Sequence, residues 1–123
     1  MDIERATQGY GALSTEVRLN VLRLLAKSGD EGLPSGEIAR KLDVPANSLS
    51  QQLYLLTAAG LVEQERQGRN VFYRIDLDAI KWLIKFLVAD CTAGRLTGPS
   101  SALHDRSEAL HVVAATLHAT KCR

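Results

Sequence analysis

Apolar positions along this chain fall into helical stripes, then two alternating runs, then a segment that is apolar nearly all round. Val17, Val21, Leu24, Leu25 and Ala26 follow Ser14, a suitable N-cap, and stop at Gly29. That spacing predicts a core helix with Arg18 and Arg23 left to solvent. Ahead of it, residues 2–13 carry Ile3, Ala6, Tyr10 and Leu13 among Gly9 and Gly11, a weaker helical pattern. A loop at 29–32 and Pro34 lead to a short helix opening near Ser35, with Ile38, Ala39 and Leu42 on its buried side. Asp43-Val44-Pro45 breaks it, since the proline ring disfavours helical geometry at Val44. Asn47 is the cap candidate for a further helix, whose Leu49, Leu53 and Leu56 form a buried stripe ended by Gly60.

Residues 61–67 and 70–75 alternate as strands, with Val71, Tyr73 and Ile75 at period two and Gly68-Arg69 at the tip. Helix, turn, helix, hairpin is an order that predicts a mainly α (α+β) winged helix-turn-helix with a two-stranded β-hairpin wing. Between Ala46 and Gly60 there is no charged residue, and the second helix offers Ser48, Ser50, Gln51, Gln52 and Tyr54 to solvent. An ordinary surface helix is laced with Lys and Glu. Asn, Ser and Gln can instead meet base edges without a large desolvation cost, and Gln suits the N7 and N6 groups of adenine in the major groove. The candidate DNA-binding residues are therefore Asn47, Ser48, Ser50, Gln51 and Tyr54, with Arg66 and Arg69 of the hairpin placed for phosphate or the minor groove. Arg74 adds positive charge near the tip, while Glu63 and Glu65 sit lower on the first strand. Plainer readings stand beside these: a solvent face that lacks charge, and a tip charged for solubility and against edge pairing.

The segment after the hairpin changes the picture from one chain to two. Of the nine residues 80–88, seven are apolar (Ile80, Trp82, Leu83, Ile84, Phe86, Leu87, Val88), interrupted only by Lys81 and Lys85. A monomer's surface helix needs an apolar stripe of roughly 100°, and this one exceeds it. A second copy would cover the excess, so a homodimer formed through terminal helices is expected. A two-fold dimer sets two reading helices on successive major grooves, which predicts a double-stranded, roughly palindromic DNA operator.

Composition adds bounds and little more. The 123 residues suffice for one domain that buries about 65% of its unfolded surface. A net charge of +1 means that any nucleic-acid contact comes from local placement of Arg and Lys. The opening residues lack the apolar core of a signal peptide and no long apolar run follows, so a cytoplasmic location without a membrane span is expected. Cys91 and Cys122 lie far apart, and a reducing compartment disfavours a structural disulfide between them. No glycine-rich phosphate loop, nucleophile elbow or carboxylate pair points to catalysis, so an enzyme is not expected and no cofactor is required.

Four stretches, residues 12–19, 32–39, 47–62 and 68–74, together resemble the arsenical-resistance repressor (ArsR/SmtB) family over roughly residues 10–95. The resemblance implies a small dimeric winged-helix repressor released from DNA by a metal or metalloid. Gln51-Gln52 departs from it, standing where family members often carry a His. Some members bind metal through cysteines on the helix before the turn, but residues 35–42 contain neither Cys nor His. Others use Asp and His on the helix after the wing, and residues 76–90 contain no His. Zinc, nickel or cobalt is therefore not expected at either site. The arsenical-responsive branch clusters cysteines at the end of that helix, and Asp90-Cys91-Thr92 is similar with its second cysteine replaced by Thr92. Trivalent arsenic takes three thiolates, whereas methylarsenite has two open positions, which Cys91 and Cys122 would fill. Against this, a helix C-terminus and Asp90 both disfavour a Cys91 thiolate, and a small buried thiol at the dimer seam is the plainer role.

The domain division expected is 1–91 for DNA binding and dimerisation, 92–101 as a flexible linker rich in Gly, Ser and Thr, and 102–123 as an amphipathic C-terminal helix. His104, His111, His118 and Cys122 share one edge of that last helix. Steps of seven span ~10.5 Å, too far for the histidines of one chain to share an ion.

Overall fold

The computed structural model describes residues 2–96. Residues 2–79 make one compact unit, and the described residues 80–96 belong to a second. In the first, Asp2 caps helix α1 (Ile3–Ala12), its carboxylate accepting from the backbone N–H of Glu4 at 3.0 Å and Arg5 at 3.3 Å. Those bonds satisfy donors that a helix start otherwise leaves open, so a weak apolar pattern still yields a full helix. Helix α2 (Glu16–Ser28) is capped by Thr15, not Ser14, because the Ser14 hydroxyl donates to the Gly11 carbonyl at 2.6 Å. The buried face of α2 is Val21, Leu22 and Leu25, and Ala26 is exposed, a rotation of the expected stripe.

Helix α3 (Ser35–Leu42) stops at Asp43, which adopts the left-handed conformation (φ 54°, ψ 50°) while Val44 donates its N–H to the Ala39 carbonyl. A short polar side chain tolerates that geometry. The turn is thus made two residues before Pro45. Helix α4 (Ala46–Ala58) begins directly after Pro45, whose fixed φ of −57° and missing N–H suit a helix entrance. Asn47 is therefore inside the first turn and not the cap.

Strands β2 (Val62–Gln67) and β3 (Asn70–Ile75) pair antiparallel in the expected hairpin, Gln67 opposite Asn70 and Val62 opposite Ile75. Gly68 opens the two-residue tip with φ +64°, the place where such turns need glycine. A third strand, β1 (Leu33–Pro34), joins the other side of β3 in the order β1-β3-β2. Two residues, one of them proline, give no alternation to read, and an edge is where a sheet accepts proline. Gly32 leads into it at φ +73°, where a Cβ would lie 2.3 Å from the Tyr73 carbonyl oxygen. Only glycine lets the chain approach β3 there.

Val21, Leu25, Ile38, Leu49, Leu53, Leu56, Leu61 and Val62 form the centre of this unit, none more than 2% exposed. They join α2, α3, α4 and the base of the hairpin, and each buried leucine contributes roughly 1.5–3 kcal/mol. Asp76 then opens helix α5 (Leu77–Lys85), accepting from the Ala79 N–H at 3.1 Å. The helix starts three residues before the apolar run and continues as a wider π-helical segment, Phe86–Cys91. Within the second unit Trp82 stacks on Phe86 with ring centroids 5.4 Å apart. Leu83, Phe86 and Val88 are buried, and Leu87 is 44% exposed. Turns follow through Leu96. The proposed helix 102–123, with its histidines and Cys122, lies outside the described residues.

Candidate nucleic-acid interface

Three leucines hold α4 in the core, and the opposite side of the helix is the surface they leave. Asn47, Ser50, Gln51 and Tyr54 recur at three- and four-residue steps along it, with Ser48 beside them, and all five are exposed. Tyr54 is 70% open to solvent. Two of these side chains are partly engaged by the helix itself. The Asn47 Oδ1 accepts from the Ser48 N–H at 2.9 Å, and the Ser50 hydroxyl donates to the Ala46 carbonyl at 3.0 Å. Asn47 keeps its amide donors and Ser50 its acceptor lone pairs. The neighbouring helix α3 differs: its exposed Glu37 and Arg40 pair at 2.7 Å, and the Arg40 hydrogen bond holds the Glu37 carboxyl below its usual range.

Gln52 is not part of the open face. It is half-buried, and its Oε1 accepts from the Arg18 guanidinium at 2.7 Å. Arg18 itself, expected in solvent, is buried; its Nε donates to the Ala12 carbonyl at 2.6 Å. The sequence did hold a signal for this. Arg18 falls at the same helical spacing as Val21, Leu22 and Leu25, which places it on the buried face of α2.

On the hairpin, Arg66 and Arg69 are exposed as expected. Arg74 is not an available charge. Glu63 stands opposite it across the strands, Glu65 is one pleat on, and its guanidinium donates to them at 3.1 and 2.5 Å. The hydrogen bonds to Glu65 and then Glu63 raise the Arg74 pKa further. The wing therefore presents Arg66 and Arg69 while Arg74 is neutralised by its own sheet.

Cys91 closes the π-helical segment and is exposed, so within one chain it is not a buried thiol. The next residue, Thr92, donates its hydroxyl to the Val88 carbonyl. Among the described residues no group of three or more His, Cys, Asp or Glu side chains is placed to hold a metal ion.

A helix-turn-helix whose second helix offers an uncharged polar face, followed by an arginine-tipped hairpin, defines a winged-helix DNA-binding protein. Residues 13–65 match a helix-turn-helix domain model. The biofilm growth-associated repressor of Agrobacterium fabrum is 35% identical over 86 residues, 70% of this chain and 74% of that one. The transcriptional activator HlyU of Vibrio cholerae is 33% identical over 76 residues, 62% of this chain and 68% of that one. Among solved structures, the homodimeric winged helix-turn-helix domain of a possible ArsR-family regulator from Mycobacterium bovis aligns with a TM-score of 0.59 at 27% identity, covering 71% of this chain and 79% of that one. The chain belongs to the ArsR family of winged-helix transcriptional regulators. These relatives are named as regulators of transcription, not as enzymes. Among the described residues no helix is long and apolar enough to cross a membrane.

Proposed function

We propose that this protein is a homodimeric repressor that holds a roughly palindromic operator. Asn47, Ser48, Ser50, Gln51 and Tyr54 of α4 meet base edges and nearby phosphates, and Arg66 and Arg69 of the wing meet the backbone. The observation that carries this is the exposed face of α4, on which every polar group is uncharged. The homodimeric state of the Mycobacterium bovis domain and the 44% exposure of Leu87 support the paired form. Fluorescence anisotropy on the DNA upstream of its own gene tests the reading. Wild-type binding should weaken steeply with salt, and Arg69→Ala should weaken it on every sequence while lowering the salt slope by about one. Salt-independent or undetectable binding, or a single-chain mass in sedimentation, refutes it.

For the signal that releases DNA, we propose a thiol-binding metalloid engaged at Cys91. The support is the exposure of this thiol at the end of the post-wing segment. One described thiol fits a trivalent arsenical with few open positions, such as methylarsenite, better than free arsenite, and Cys122 is the second donor of the same reading. Methylarsenite should release the operator from wild type and not from Cys91→Ser. Release by peroxide alone would assign the same thiol to a redox input, and release of Cys91→Ser by methylarsenite would remove the cysteine from sensing.

A further inference from the structure

Arg18 is a nine-tenths buried cation with no carboxylate partner among the described residues. Its acceptors are the carbonyls of Ala12 at 2.6 Å and Gly11 at 3.5 Å, together with Gln52 Oε1 at 2.7 Å. Gly11 and Ala12 are the last two residues of α1, so their carbonyls have no i+4 partner within the helix and carry the negative end of its dipole, Gly11 being shared with Ser14. One planar, rigid fork therefore fastens the end of α1 to a side chain of α4, Gln52, which lies 34 residues from Arg18 in sequence. A cleft of about 240 Å³, walled by Gly11, Ala12, Leu55 and Ala58, opens beside Arg18 between the same two helices.

The contact also fixes chemistry. A guanidinium only donates, so the oxygen of the Gln52 amide must face it and the nitrogen must not. An adenine contact of the bidentate kind needs that oxygen to accept from N6 while the nitrogen donates to N7. Arg18 occupies one of the two lone pairs of that oxygen, so Gln52 keeps both amide hydrogens and a single acceptor site, in an orientation set by Arg18. Gln51, exposed and one residue away, keeps both groups.

We propose that Arg18 is a positioning residue for DNA recognition: it ties the end of α1 to Gln52 and fixes which way that amide faces. The proposal rests on α4 being the DNA-reading helix. The test uses the full chain with Arg18→Met, Arg18→Lys, Gln52→Met and the double Met variant, each measured well below its own Tm. Arg18→Met and Gln52→Met should each weaken operator binding about tenfold, as expected for one charge-assisted hydrogen bond, and the double variant should be no weaker. Arg18→Lys keeps the charge without the fork and should not rescue. The salt slope should not move, because a buried Arg18 touches no phosphate.

Folded Arg18 variants that bind within twofold of wild type, additive losses, or a smaller salt slope would overturn the proposal. Should the Arg18 variants fail to fold, Gln52→Met decides. If wild type itself binds no fragment, the DNA-reading assignment fails first; if wild type binds and the variants behave like it, only the role of Arg18 is lost.

Discussion

Helix α4 and the hairpin wing both face outward with polar side chains, yet they manage charge in opposite ways. The exposed face of α4 carries none, and its hydrogen-bonding groups stay neutral and open. The wing carries three arginines but keeps one inside the sheet, where Glu63 and Glu65 hold Arg74. Neutral groups discriminate among bases because each must find a matching donor or acceptor, whereas an exposed arginine is attracted by any phosphate. In the proposed complex the pairing of Arg74 would limit how strongly the wing grips DNA irrespective of sequence. In the proposed repressor, specificity and affinity would thereby fall to different elements.

The comparison breaks first at the core beneath α4. Leu53 is 1% exposed. Leu53→Ala should cost about 2–5 kcal/mol of stability, and a lowered Tm by calorimetry should be accompanied by loss of operator binding. An unchanged Tm would mean that α4 is not anchored by this stripe. Gln51→Ala should leave Tm alone and cost roughly 1–3 kcal/mol of discrimination, read as a flattened preference at one base pair in a competition assay. If all sequences weaken equally, Gln51 contacts the backbone and belongs with the wing. The smallest effect is expected from Glu65→Gln, which frees one side of Arg74. Binding to any duplex should tighten by less than about threefold at physiological salt, since exposed charges are screened there. No change in Kd, at low salt as well, would mean that Arg74 faces away from DNA.

Most of the element order was legible from periodicity and punctuation. The stripe of Leu49, Leu53 and Leu56, the stop at Gly29 and the two-residue tip at Gly68-Arg69 all stand where local pattern put them. Caps were less legible, because Ser14 and Thr15 compete for one position and the winner depends on which hydroxyl α1 engages. The exposed residues of α4 were also found correctly, as an uncharged run is visible without coordinates. Gln52 was not separable from them. Its fate depends on Arg18, and a sequence window centred on either residue does not contain the other.

The amino-acid order alone set the helices, the hairpin and the uncharged face, since each follows from repeats of three to four or of two residues and from the residues that end them. Tertiary structure alone decided that Gln52 is turned toward Arg18, that Arg74 is neutralised and that Leu33–Pro34 adds a strand. Those outcomes are hydrogen bonds and ion pairs between groups 9 to 40 positions apart, as from Arg74 to Glu65 and from Leu33 to Tyr73. Such partners meet only once the hydrophobic core has brought their elements together, and no local periodicity records them.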